Sequence, residues 1–475
     1  MNYDVIIVGS GAGGSAAAYH LSQSGRRVLL LERGEALPRD RSTLSVEKVL
    51  KLGMFKHSEL WIDARDNTLQ PSEFANLGGK TKWYGAALLR FAPFEFGADT
   101  QHQCVGWPIS YDELAPFYDE AERLLAVRTF PIEPDLERIV SGIRAADPAW
   151  ERQPLPVGLD PAIYEDREEA THFDGFALPS GRKSDAQVAL LERVRHQANL
   201  EIRTGAAVVA LKPDPGSPRR VTGVVTADGR EFGAAAVVLA GGALNSPRLL
   251  HTYLELTGLD RQLPCAAQVG RNYKCHLNSA LVAISFRPQT DLLRKTTLLL
   301  NERFPHSSVQ NTGWLDGEIV RVEAPAFVPR WITDAIGRRA YGFWLTTEDG
   351  SHPDNRVVAK VNGAARPQLD YDAARLPAAQ AEHERLTRAV RRRLLGLGYL
   401  SVVKRMPLAA TAHACGTLMA GSDPARSVVD AEGRVHGLAN VFVADGSALP
   451  RSSRVNPALT IYAWGLRVAS HLQPH

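Results

Sequence analysis

The spacing of apolar and polar positions changes several times along this chain, and each change predicts an element. Asp4 to Val8 is an apolar run without polar alternation, the pattern of a short strand buried on both faces. Ser15 to Ser24 has helical character, and Val28 to Leu31 is a second unbroken apolar run. Together they predict a βαβ unit at the head of an α/β sheet. Helical spacing returns around Val46 to Leu52. It returns again in "GWPISYDELAPFYDEAERLLAV", where Ser110-x-x-Glu113 forms a capping box, and over Ser184 to Gln197. Short strands follow around Glu201, Val208, Val221 and Val237, with "PDPGSPRR" and "ADGR" as the turns between them. The last runs into Gly241–Gly242 and a helix from about Ser246. Residues 130–175 are rich in Pro, Asp and Glu and predict a long excursion with little regular structure. From about Val269 to Val403 the pattern shifts to longer strands and two amphipathic helices. The tail returns to a short strand in "NVFVADGS" and a helix from Pro457.

This order predicts one α/β domain assembled from residues 1–130, 177–268 and 408–475. An excursion over 131–176 and a second, sheet-based α+β domain over 269–407 complete the chain. A length of 475 residues agrees with more than one core. Composition adds exclusions. A net charge of +3 with scattered basic residues leaves no nucleic-acid footprint, and the densest basic run, "RAVRRRLLGLGYL", reads as the solvated face of a helix. Four cysteines without C-x-x-C speak against a zinc ribbon, an iron–sulfur cluster or a disulfide framework; no metal site is expected, and a reducing compartment is. No apolar run reaches about 18 residues, so no membrane insertion is expected. The first strand starts at residue 4, which leaves no room for a leader, and the expected location is cytoplasmic.

The chemistry begins at the first turn. Gly9, Gly11 and Gly14 form G-x-G-x-x-G between strand and helix. The first glycine permits the tight turn, the second lets backbone approach a pyrophosphate, and the third lets helix pack on strand. Glu32 ends the second strand, where a carboxylate accepts from ribose hydroxyls and disfavours a 2′-phosphate. This predicts a dinucleotide site and leaves NAD and FAD open. "NLGGKTKWYGAAL" carries a second glycine loop at Gly78–Gly79, and "AVVLAGGALNSPRLL" repeats the strand–glycine–helix pattern at Gly241, Gly242 and Asn245. Near the C-terminus stand His413 in "THACGT" and Asn456–Pro457, a helix start with Asn at the N-cap and Pro at the first helical position. By themselves both readings are structural before they are catalytic.

Taken together these motifs resemble the glucose–methanol–choline (GMC) flavoprotein oxidoreductases along nearly the whole chain. The match includes G-x-G-x-x-G with Glu32, "LGG…YGAAL", "GWPISYDELAPFYDEAE", "GGALNSPRLL", "VGRNYKCH", H-x-x-G-T from His413 to Thr417, and "VFVADGSALP…VNPALTIYA". The resemblance implies a Rossmann-like FAD-binding domain with a sheet-based substrate domain. It implies FAD rather than NAD, held by Gly9, Gly11, Gly14 and Glu32 at the ADP half and by Val208 at the adenine. Gly78 and Gly79 would lie on the flavin side, Asp445 and Gly446 at the ribityl and pyrophosphate, and Asn456 and Pro457 at the pyrimidine end. It implies His413 and Asn456 as the catalytic pair: neutral His413 takes the hydroxyl proton, Asn456 orients the same hydroxyl, and the carbon-bound hydrogen leaves as hydride to flavin N5. Some relatives link FAD through a histidine where this chain has Trp83, so FAD is expected to be noncovalent. The substrate implied is a sugar, glycoside or other small alcohol, with a primary or aryl alcohol as the alternative. O₂ or another acceptor takes the electrons. A non-redox lyase of the same fold and NAD-dependent dehydrogenation are lesser alternatives. Trp314, Trp331, Phe343 and Trp344 are candidates for stacking on a sugar, with core packing the plainer use of each. From the reference pKa of about 6.5, His413 is expected to titrate near neutrality.

Overall fold

The unbroken apolar runs of the N-terminus become the centre of a parallel sheet. The structure, a computed structural model, describes residues 2–359, 366–410 and 412–472. Asn2–Val8 pairs in parallel with Val28–Leu31 on one side and Glu231–Leu239 on the other. Val5, Ile6, Ile7 and Val28 to Leu31 are all buried, as strands covered on both faces require. Leu200–Arg203 extends one edge, and Ser217–Thr226 and Val208–Asp214 extend the other as an antiparallel hairpin. Val441–Val443 joins in parallel with Glu231–Leu239, so the C-terminal block lies beside the first glycine turn. The opening helix Ala12–Gln23 packs on the C-terminal helix Ala458–Ser470. Glycine allows that approach: a Cβ on Gly13 would stand 1.7 Å from the Ala444 carbonyl oxygen, and one on Gly465 would stand 2.6 Å from that of Gly13.

The second sheet is antiparallel, in the order 400–405, 277–284, 340–347, 307–311, 297–301, 150–154. Its rear face carries Leu281, Val309, Phe343 and Leu345 into a core shared with the helices Pro134–Ala146 and Pro377–Gly396. The register sets Asn278 opposite Thr346 and Gln310 opposite Trp344 on the other face. A small third sheet joins Trp61–Asp63 and Thr68–Leu69 to Arg356–Val358 and Gln368–Asp370.

The structure corrects the expectation for residues 130–175. They hold the helix Pro134–Ala146, the edge strand Trp150–Pro154 and the helix Arg167–His172. Leu136, Ile139, Val140 and Ile143 carry the helical spacing, and the surrounding Pro, Asp and Glu mask it in a compositional reading. Among the described residues the segment 269–403 has three α-helices, Gly317–Glu323, Arg330–Gly337 and Pro377–Gly396, where two were expected. The helix expected from Ser246 starts at Gly242. Arg388, Arg391 and Arg392 of the basic run face solvent, as a solvated helix face should.

Candidate active site

A cavity of about 990 Å³ runs from the first glycine turn to the front of the second sheet. At its nucleotide end, Gly9 adopts φ 103°, where an added Cβ would meet Ala240 O at 2.5 Å, and a Cβ on Gly14 would meet Gly9 O at 2.0 Å. A Cβ on Gly11 would meet nothing within 4 Å. The first and third glycines are therefore required by the protein's own packing, whereas the second opens onto the cavity. The opening helix begins there without a side-chain cap, so its unpaired N–H groups and positive end face the space. Glu32 is buried and already engaged: Oε2 accepts from Ser10 N at 3.0 Å and Ser10 Oγ at 2.6 Å, and Oε1 accepts from Gly34 N at 2.9 Å. Ser10 Oγ in turn accepts from Gly78 N at 3.0 Å, so one carboxylate organises both glycine loops. Replacing Glu32 with alanine strands these donors, a loss of about 1–3 kcal/mol. Titration of the apoprotein with FAD should show weakened binding, with normal flavin reduction in whatever holoprotein forms.

At the other end, His413 stands half-buried in the cavity wall. Its Nδ1 lies 2.8 Å from His276 Nδ1, and its Nε2 lies 3.3 Å from Asn456 Nδ2. His276 Nε2 faces two carbonyl oxygens, Ser452 O at 3.0 Å and Ser453 O at 2.7 Å. Carbonyls only accept, so His276 carries a proton on Nε2, and in the neutral ring this leaves Nδ1 as an acceptor. Against that neutral ring His413 donates from Nδ1, which leaves its Nε2 unprotonated and accepting from Asn456 Nδ2. Gln310 Nε2 donates to Asn456 Oδ1 at 2.6 Å and fixes which end of that amide faces the histidine. Burial foremost, then repulsion from His276 when that ring is charged and from the ammonium groups of Lys295 and Lys80, pushes His413 well below its ordinary pKa. This corrects the expectation of titration near neutrality. The structure also moves the helix start: Pro457 is the N-cap, and the Asn456 side chain serves His413 and Gln310 instead of the helix.

Comparison with known proteins decides the family. A family model described as FAD dependent oxidoreductase matches residues 4–291, and one described as GMC oxidoreductase matches residues 352–465. The chain belongs to the GMC oxidoreductases. Paromamine 6'-oxidase of Streptomyces fradiae is 28% identical over 98% of this chain and 90% of its own length. The 6'''-hydroxyparomomycin C oxidase of Streptomyces lividus is 29% identical over 99% and 92%. The crystal structure of pyridoxine 4-oxidase from Mesorbium loti superposes with a TM-score of 0.74 at 20% identity, covering 100% of both chains, and has the same fold. This GMC oxidoreductase is an FAD-dependent enzyme acting on CH–OH donors.

The residues present fit FAD. The open face at Gly11 and the uncapped helix end suit a pyrophosphate, and Glu32 and Val208 line the same cavity. Gly9, Gly79, Asp445, Gly446, Asn456 and Pro457 also line the cavity. Gly14 and Gly78 do not; they pack against Gly9 and Ser10 behind it. Asp445 is buried and ties the start of the helix Gly242–Thr257 to its own turn, accepting from Gly242 N at 2.7 Å, Ser246 Oγ at 2.5 Å and Ser447 N at 2.8 Å. Burial nonetheless raises its pKa. Trp83 donates to Asn76 Oδ1 and stacks on Phe74 with centroids 4.8 Å apart, so it braces the second glycine loop and offers no histidyl link to flavin. Of the four aromatic candidates, Trp344 lines the cavity, Phe343 faces the rear core, Trp331 is exposed and Trp314 packs against Arg294.

The strap that delivers Asn456 is pinned from behind by buried carboxylates. Glu348 pairs with Arg451 and accepts from Ser453 N at 3.1 Å; Glu95 accepts from Ser453 Oγ at 2.6 Å and Arg454 N at 2.8 Å. Asp349 accepts from the backbone of Cys275 and His276 and from Ser452 Oγ, which fixes His276 to the same strap. Burial alone would raise the Glu348 pKa. Arg451, followed by His306, more than offsets this and holds it below the ordinary carboxylate range. His276, Gln310, Glu348 and Arg451 were not singled out in the sequence; "VGRNYKCH" held the one available signal, since it ends on His276.

Proposed function

We propose that His413 and Asn456 act on the hydroxyl of a sugar-like alcohol. The hydroxyl donates to the bare His413 Nε2 and accepts from Asn456 Nδ2. His413 removes its proton, and the Nδ1–H bond to His276 keeps the imidazole in the tautomer that makes this possible. FAD, when bound, supplies the hydride acceptor for the carbinol carbon. The helix Ala458–Ser470 has no side-chain cap at its start, and its positive end favours negative charge placed ahead of Pro457. Glycine loops and Glu32 hold the nucleotide, and the sheet of the 269–407 segment forms the substrate wall. The observation that carries this reading is the fixed polarity of the His276–His413–Asn456 chain.

Two features favour a sugar over a plain alcohol. The cavity face of the second sheet offers Asn278, Gln310 and Thr346 around the indole of Trp344, a mixture of polar groups and one flat ring. The relatives that act on paromamine and hydroxyparomomycin point the same way. O₂ or another acceptor then takes the electrons. No helix among the described residues is long and apolar enough to cross a membrane. The four cysteines are free, buried thiols, which supports the reducing cytoplasm as the location.

The test is anaerobic loss of the yellow flavin absorbance against hexoses, glycosides, primary alcohols and aryl alcohols. Bleaching is expected with one or more sugars. Bleaching by aryl alcohols alone would reject the sugar reading, and no bleaching by any alcohol would reject the catalytic one. Rapid return of colour on admitting air identifies O₂ as an acceptor.

A further inference from the structure

The reaction cavity holds an ion pair that the roles above leave unused. Lys295 Nζ stands 2.9 Å from Asp174 Oδ1, with side chains only 4% and 14% exposed. Both residues line the same cavity as His413, Asn456 and Trp344. Asp174 Oδ2 accepts from Gly313 N at 2.9 Å, which anchors the carboxylate to the end of a strand of the second sheet. The pair sits over Gly85: a Cβ there would stand 2.1 Å from Asp174 Oδ1 and 2.3 Å from Lys295 Nζ. An ammonium has three N–H donors, and among the described residues Lys295 spends one, on Asp174. Two donors and a lone pair on Asp174 Oδ1 remain beside the cavity. Asn278 adds a buried Oδ1 without a partner to the same wall.

A buried ion pair is a weak means of stabilising a fold, because desolvation offsets much of the attraction. Placed in a cavity wall, it has a chemical use. A hydroxyl donates and accepts at once, and an ammonium beside a carboxylate offers one partner for each. Because the two charges cancel, the pair favours a neutral hydroxyl over an ionic group. The effect of the Lys295 charge on His413 places it within electrostatic reach of the base.

We propose that the Lys295–Asp174 pair reads a second hydroxyl of the substrate, which makes the substrate a polyol rather than a monohydric alcohol. The inference rests on the alcohol-oxidising role given to His413. In it, the second hydroxyl accepts from Lys295 Nζ and donates to Asp174 Oδ1, and this contact orients the molecule so that a different hydroxyl meets His413.

The test uses the holoenzyme with the best hexopyranoside of the bleaching panel and its monodeoxy analogues. For wild type, removal of one particular hydroxyl, other than the oxidised one, should lower kcat/KM by about 10- to 100-fold, mainly through KM. Lys295→Met and Asp174→Asn should bind the parent sugar about as weakly as wild type binds that analogue, and should lose most of the discrimination between the two. The asparagine variant keeps an acceptor for Gly313 N and so guards against misfolding of the methionine variant. Should both variants fail to hold FAD, the wild-type deoxy series alone decides. Equal turnover of every deoxy analogue, or variants that slow all alcohols equally through kcat with an altered flavin spectrum, would overturn the proposal. Bleaching by sugars without deoxy discrimination defeats this inference only, whereas no bleaching by any alcohol defeats the role of His413 as well.

Discussion

Replacing His413 with alanine is expected to slow anaerobic flavin reduction by about 10²- to 10⁴-fold, the usual reach of a positioned general base. FAD content should stay near normal, because the nucleotide end of the cavity is built from the glycine loops, Ser10 and Glu32. The pH profile provides a second reading. A base acts only when neutral, and burial, His276, Lys295 and Lys80 all disfavour the charged imidazole. Wild-type reduction should therefore be flat through neutrality and fall only below the ordinary histidine value of about 6.5. Loss of the side chain should remove that acid limb. Asn456→Ala should also slow reduction, yet keep the limb, because it removes an orienting donor and leaves the base in place. Stopped-flow reduction across pH separates the two variants. Wild-type rates in His413→Ala would show that the histidine is structural.

Replacing Arg451 with methionine is expected to cost about 3–5 kcal/mol of stability, a large part of the roughly 5–15 kcal/mol that holds an ordinary domain. The Arg451 and Glu348 side chains are 1% and 0% exposed, and the guanidinium meets both carboxylate oxygens, at 2.9 and 2.5 Å. Without Arg451, Glu348 keeps His306 and Ser453 N but loses its main counter-charge. The sign of the pH dependence follows from the depressed pKa of Glu348. Such a group contributes fully above the unfolded carboxylate value of about 4.3, and the contribution is lost as pH falls from there toward the folded value. The deficit of the variant should thus be complete at neutral pH and narrow in acid. Urea denaturation of the holoprotein measures it, and Glu348→Gln added to Arg451→Met should restore part of the loss by removing the stranded charge. An unchanged denaturation midpoint in the single variant would mean that the pair contributes nothing.

The two ends of the chain differ in how much of the molecule local sequence determines. The opening strand, turn, helix and Glu32 are legible because each is a short-range demand: apolar runs need burial on both faces, and Gly9 must adopt a φ that other residues avoid. The capping box at Ser110 is legible for the same reason, since all its partners lie within three residues. His413 and Asn456 were legible only as members of a pattern. The properties on which their proposed roles depend come from elsewhere in the fold: a tautomer set by His276, 137 residues away from His413 in the chain, and an amide orientation set by Gln310, 146 residues away from Asn456. No periodicity records such contacts, because hydrogen bonds between distant segments depend on how two sheets are docked and leave no repeat in either segment. Likewise the helix Pro134–Ala146 was masked by its polar composition and is held by burial against the second sheet. The sequence by itself determined the nucleotide-binding βαβ unit and carried the motifs whose resemblance to a family implied FAD. The tertiary structure alone decided which nitrogen of His413 accepts, in which direction its pKa moves, and that Lys295 and Asp174 share its cavity, because each of these depends on charges and lone pairs brought together from different parts of the chain.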